Sequence, residues 1–224
     1  MQIFADFLNF LTGAPAMIGL LLTAVIIFVS ADWRVALSAL LVQYILVGLA
    51  LVDTVRLEFV LVRILTGLLV TAILYLSARY IPIGTHEKED EVGPHIFGLH
   101  VGWLAGPLGF PLRLMASLLV VLLVVRVFQS YTLAAVPMGL ALVAFWMAGM
   151  GMLGLVLSGH PLRAAVAVMT FLAGFDLVFA ALEPSLALVG FLSTFYLLGA
   201  LGFAYLIAAH ALAGIGTEGR EIEG

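Results

Sequence analysis

The chain has 224 residues, of which 64% are hydrophobic and only 10% charged, against roughly 45–50% and 25% in an ordinary soluble domain. So few charges cannot cover the molecule with a solvated surface, which leaves lipid as its solvent. The net charge of −4 excludes a basic nucleic-acid footprint, and the absence of cysteine excludes disulfides, thiolate catalysis and Cys-ligated metal or iron–sulfur centres.

A bilayer core of roughly 30 Å is crossed by about 20 apolar residues in a helix, and seven segments approach that length. The leading stretch Met1 to Ala16 lacks a positive n-region and reads as mature sequence entering the first span. That span covers Pro15 to Ser30 and stops at Ala31-Asp32-Trp33-Arg34. The second covers Val35 to Val52. A polar corner, Asp53-Thr54-Val55-Arg56-Leu57-Glu58, leads into the third, which ends near Ala78. The fourth covers Leu112 to Val127. The fifth, Leu133 to Leu157, includes Pro137 and several glycines. The sixth covers Arg163 to Leu182, and the seventh follows Glu183-Pro184 and fades near His210.

Between the third and fourth spans lies the only long polar stretch, Arg79 to Phe110. Its acidic run His86-Glu87-Lys88-Glu89-Asp90-Glu91 belongs in water. From Pro94 to Phe110 it is apolar but broken by Gly98, Gly102, Gly106 and Pro107, which suits a segment at the interface or docked on a partner. The expected fold is therefore an all-α polytopic membrane bundle of about seven transmembrane helices. Residues 1–80 form an N-terminal three-helix unit, 81–110 a polar and interfacial loop, 111–130 a connector helix, 131–214 a C-terminal three-helix unit and 215–224 an acidic tail.

The two three-helix units share a pattern. Arg34-Val-Ala-Leu opens the second span and Arg163-Ala-Ala-Val the sixth; each leads through an apolar run and an acidic corner to a span with a small polar pair, Thr66-Gly67 or Ser193-Thr194. This spacing fits a duplicated unit joined by one connector, both copies starting on the same side. Loose alignment of apolar helices is the plainer explanation. Alternating sides collects Arg34, Arg79, Lys88, Arg113, Arg163 and Arg220 on one face and Arg56, Arg63 and Arg126 on the other. The positive-inside rule makes the first face cytoplasmic, with the N-terminus outside and the C-terminus inside a prokaryotic cytoplasmic membrane.

Ionisable groups in hydrocarbon cost about 2.5–3.5 kcal/mol each at mid-helix and are the first candidates for function. Asp176 lies six residues before the end of the sixth span. It is either a proton-relay carboxylate or a hydrogen-bonded acid tying that span to Ser193 or Thr194. Arg63 lies a few residues into the third span, from where its stem can snorkel to the outer interface and pair with Glu58 or Asp53 as a corner clamp. Gln43, mid-way along the second span, offers a hydrogen bond across helices or an element of a water chain, and Thr66 a further helix–helix contact. Asp176, Gln43, Glu58 and Arg63 are thus the proton-path candidates, and Ser193, Thr194 and Thr66 the polar contacts. The histidines make no helical pair of metal ligands, and no nucleophile–base set, P-loop or dinucleotide fingerprint is present. The expectation is no metal, no cofactor and no catalysis by this chain alone.

Several stretches carry a family likeness. Gly151-Met-Leu-Gly-Leu-Val-Leu-Ser-Gly-His-Pro-Leu-Arg, with the spans Ala164 to Leu182 and Val189 to His210, resembles the small three-helix K-type subunit of respiratory complex I and the related C-type subunit of multisubunit cation/proton antiporters. Leu40-Leu-Val-Gln-Tyr-Ile-Leu and Leu74-Tyr-Leu-Ser-Ala-Arg-Tyr-Ile-Pro are similar to the longer hydrogenase-4 component E type of group 4 hydrogenases. The resemblance implies a non-catalytic subunit of a redox-driven, ion-translocating complex, partnered by antiporter-like membrane subunits and a peripheral redox module. It also implies a glutamate in the middle of each of the last two helices. By position these fall near Met169 and Gly199, neither of them acidic, and Asp176 lies two turns further along. Scaffolding is then the implied role, with any proton passage left to Asp176 and water. The competing expectation is a freestanding small-solute or ion transporter built on the parallel repeat.

Overall fold

The computed structural model describes residues 14–30, 32–52, 55–80, 95–96, 99–100, 109–130, 136–183 and 185–221. Among them are seven helices: α1 (Ala14–Val29), α2 (Trp33–Leu51), α3 (Leu57–Tyr80), α4 (Gly109–Ser130), α5 (Met138–Val156), α6 (Pro161–Leu182) and α7 (Leu186–Glu221). Between α3 and α4 lies a minimal antiparallel pairing of β1 (His95–Ile96) with β2 (Leu99–His100). Six helices, α2 to α7, are long and apolar enough to cross a membrane. With 16 residues, α1 is shorter than the roughly 20 that a full crossing takes.

Local chemistry fixes the helix starts. The Asp32 side chain accepts a hydrogen bond from the Arg34 backbone N–H at 2.9 Å and caps α2. His160 caps α6 in the same way, its Nδ1 accepting from the Leu162 N–H at 3.2 Å, and Pro161 takes the first helical position. The Ser185 hydroxyl accepts from the Leu188 N–H at 3.3 Å before α7. Two expected boundaries shift. The fifth helix starts at Met138, not at Leu133, because Pro137 is its cap and pushes the residue before it out of the helical region; Pro137 therefore does not interrupt α5. The seventh continues past His210, so the backbone of the acidic tail is helical as far as Glu221.

The tightest seam joins α5 to α6, and glycine makes it possible. A Cβ on Gly174 would lie 2.7 Å from the Ala144 carbonyl oxygen and 2.9 Å from the Ala148 nitrogen. One on Gly151 would lie 2.5 Å from the Phe171 nitrogen. Such backbone-to-backbone approach is how apolar helices gain contact where hydrophobic driving force is absent. Around this seam each of the first three helices packs against one of the last three: α1 on α5, α2 on α6 and α3 on α7. The Trp146 indole N–H donates to the Leu21 carbonyl at 3.2 Å and ties α5 to α1. By contrast α4 packs chiefly on α5 and turns Met115, Leu118, Leu119 and Leu122 outward.

Candidate functional site

Two opposite charges meet inside this bundle. Arg63 Nη2 on α3 donates to Asp176 Oδ1 on α6 at 2.8 Å, with the two side chains only 5% and 6% exposed. Arg63 stands six residues from the start of α3 and Asp176 six from the end of α6. At the helical rise both lie about 9 Å from the same end of the bundle. The corner clamp expected between Arg63 and Glu58 is not formed. Glu58 is exposed in the first turn of α3, and five residues along a helix is about 140° around it, away from the face that carries Arg63. Asp53, the other expected partner, lies outside the described residues.

The pair opens into a cavity of about 10 Å³, lined by Tyr44, Val47, Thr66, Val189, Leu192, Ser193 and Tyr196 besides the pair itself. That volume is at the threshold for one water molecule. Tyr44 and Tyr196 stand edge to face across it, 6.4 Å between centroids. Gly67 makes room for Tyr44, since a Cβ there would overlap the tyrosine's own Cβ and Cγ. The Tyr196 hydroxyl donates to the Leu172 carbonyl at 2.9 Å and joins α7 to α6.

Among the described residues several side-chain polar atoms are buried without a hydrogen-bond partner: Arg63 Nε and Nη1, the Tyr44 hydroxyl, both ends of the Gln43 amide and the Thr71 hydroxyl. Gln43 is fully buried but does not line the cavity. Burying such groups unpaired costs about 1–3 kcal/mol apiece, and those of Arg63 and Tyr44 lie at the ion pair, which makes it the candidate site. Ser193 reaches the cavity, whereas Thr194 is exposed and donates to the Gly190 carbonyl of its own helix at 2.9 Å. Neither makes the expected bond to Asp176, whose carboxylate is taken by Arg63. Thr66 lines the cavity while donating to the Val62 carbonyl at 2.8 Å.

Among the residues brought together, Tyr44 and Tyr196 were not among the sequence candidates, and an aromatic residue in an apolar helix carries no distinguishing signal. The pairing of Arg63 with Asp176 did carry one: opposite charge at equal depth. Met169 and Gly199, where the resemblance places glutamates, also meet, a Cβ on Gly199 lying 3.3 Å from Met169 Cε. The contact is apolar. Among the described residues no three His, Asp or Glu side chains gather as a metal site. No family model, curated protein or solved structure matches the chain.

Proposed function

We propose that this chain is a non-catalytic membrane subunit of a complex I-like or group 4 hydrogenase-like, redox-driven and ion-translocating complex, in which the Arg63–Asp176 layer is the proton-path element. The observation that supports the reading is the buried Arg63–Asp176 ion pair, with further unpartnered polar atoms on Arg63 and the adjoining Tyr44, in a largely apolar bundle. Charged residues at membrane depth are expensive and mark ion pathways or proton relays. The positions that resemble the family's glutamates are apolar and in contact, so a route here passes instead between α3 and α6, at Asp176. The chain sits in a prokaryotic cytoplasmic membrane with its N-terminus outside. Its broad apolar faces on α4 and α7 suit lipid and antiporter-like neighbours, and a peripheral redox module supplies the driving reaction.

The test is purification of the tagged native protein in mild detergent, with mass spectrometry of what stays bound. Antiporter-like membrane subunits and an iron–sulfur module should copurify, and Asp176→Asn should slow proton-coupled activity of that assembly while leaving its composition unchanged. A second reading, a freestanding transporter on a duplicated three-helix unit, is favoured by the pairing of α1 with α5, α2 with α6 and α3 with α7. The ion pair would then bridge the two halves. Recovery of a clean monomer or homodimer would remove the subunit reading and put this one in its place.

A further inference from the structure

At the end of the bundle opposite the ion pair, α2 and α3 bring aromatic and basic side chains together on their outer side. The two helices run antiparallel and approach closely: a Cβ on Gly48 would lie 2.9 Å from Ile64 Cγ1, and Gly67 lies under Tyr44. This register sets Trp33, the first residue of α2, against Tyr75, five residues before the end of α3, with ring centroids 5.9 Å apart. The Arg34 guanidinium lies over the Trp33 ring, 5.3 Å from its centroid. Arg79 follows Tyr75 by four residues and so stands one turn further along the same face of α3. Both arginines are exposed, and among the described residues neither is in an ion pair. Asp32, the carboxylate nearest to Arg34 in sequence, accepts from the Arg34 backbone N–H as the cap of α2.

Helical spacing extends this group toward the middle of the bundle. Arg34, Ser38 and Ile45 are exposed at intervals of four and seven residues and share one face of α2; Leu68, Tyr75 and Arg79 do the same on α3 at seven and four. The Ser38 hydroxyl is spent on the Val35 carbonyl at 2.9 Å. The outer groove between the helices therefore carries cations and aromatic rings at its lip and an apolar surface below. Trp and Tyr rings at the ends of membrane helices sit at headgroup level. A soluble anion would engage the lip and leave the groove unfilled, whereas an anionic head on a hydrocarbon tail matches both. We propose that the α2/α3 groove binds an anionic phospholipid, its phosphate at Arg34 and Arg79 and one acyl chain along Ile45 and Leu68. The planar donor fork of arginine suits phosphate oxygens, and stacking on Trp33 holds that of Arg34 in place. Basic residues at the ends of membrane helices attract such lipids. The site stands apart from the Arg63–Asp176 layer and rests on neither reading of it.

The experiment is native mass spectrometry of the full chain in neutral detergent, offered equal amounts of phosphatidylglycerol and phosphatidylcholine with matched acyl chains. Phosphatidylglycerol should be retained in preference. The Arg34→Gln/Arg79→Gln double variant should lower its retention roughly tenfold or more, to the phosphatidylcholine level. Arg56→Gln/Arg126→Gln, which removes the same charge from exposed positions elsewhere, should leave it unchanged. Ala72→Phe, which places a ring on the face of α3 between Leu68 and Tyr75, should reduce it with both arginines intact. Thermal melting in lipid-free detergent separates these effects from misfolding; if the first double variant does not fold, Arg34→Gln and Arg79→Gln taken singly decide, each lowering retention severalfold. Equal retention of the two lipids, or an equal response of the two double variants, would overturn the site. Displacement of the lipid by glycerol phosphate would overturn the lipid as its occupant.

Discussion

Arg63 and Asp176 depend on one another more than either contributes alone. Removing one partner of a buried pair strands the other charge in low dielectric, at a cost of about 3–5 kcal/mol, whereas replacing both with apolar residues of similar size is often neutral or stabilising. Asp176→Leu should therefore lower the detergent melting temperature sharply, and Arg63→Met/Asp176→Leu should restore it. If the double variant is as unstable as the single one, the 2.8 Å contact is not what couples α3 to α6. The distinction bears on function, because a pair that stability does not need has another reason to be there. Each of the two residues stood out in the sequence as an ionisable group in an apolar run. That they face one another did not, because depth follows from counting residues while rotation about the axis is set by packing. For the same reason Arg63 read as a residue snorkelling outward, and Glu58 as its neighbour.

At the scale of elements, the helices themselves were legible from apolar run length and the break before α2 from Asp32, whereas Pro137, read as lying inside the fifth span, is the cap of α5. The seams were not, because glycine is frequent throughout and only some glycines lie under a neighbouring backbone. The structure separates the two kinds. Gly151 and Gly174 lie against α6 and α5 backbone respectively, while nothing approaches within 4 Å of a Cβ on Gly190 or Gly202. Gly151→Ala and Gly174→Ala should each destabilise by about 1–3 kcal/mol through overpacking. Gly190→Ala should be neutral or stabilising by up to about 1 kcal/mol, since alanine is the better helix former. Thermal unfolding of the three variants in one detergent checks this. A uniform response would mean that α5 and α6 are not locked through their glycines. The same seam holds α6 in place and so positions Asp176, linking a backbone contact to the geometry of the ion pair.

For the whole molecule, the positive residues near the span ends predict the orientation. Alternation of the spans assigns Arg56, Arg63 and Arg126 to one face, and of these Arg63 is paired with Asp176 inside the bundle. The same alternation assigns six to the other: Arg34, Arg79, Lys88, Arg113, Arg163 and Arg220. Positive charge near the span ends is retained on the cytoplasmic side, so this count predicts that the starts of α2, α4 and α6 face the cytoplasm. The chain has no cysteine, and a single introduced one reports its side directly. Glu58 before the body of α3 and Glu183 between α6 and α7 are exposed at the end nearest the ion pair, and Gly159 between α5 and α6 is exposed at the other. In intact cells a membrane-impermeant maleimide should label Glu58→Cys and Glu183→Cys, and reach Gly159→Cys only after lysis. The reverse pattern would invert the molecule. Labelling of all three from outside would mean that α6, which separates Gly159 from Glu183, does not cross the bilayer.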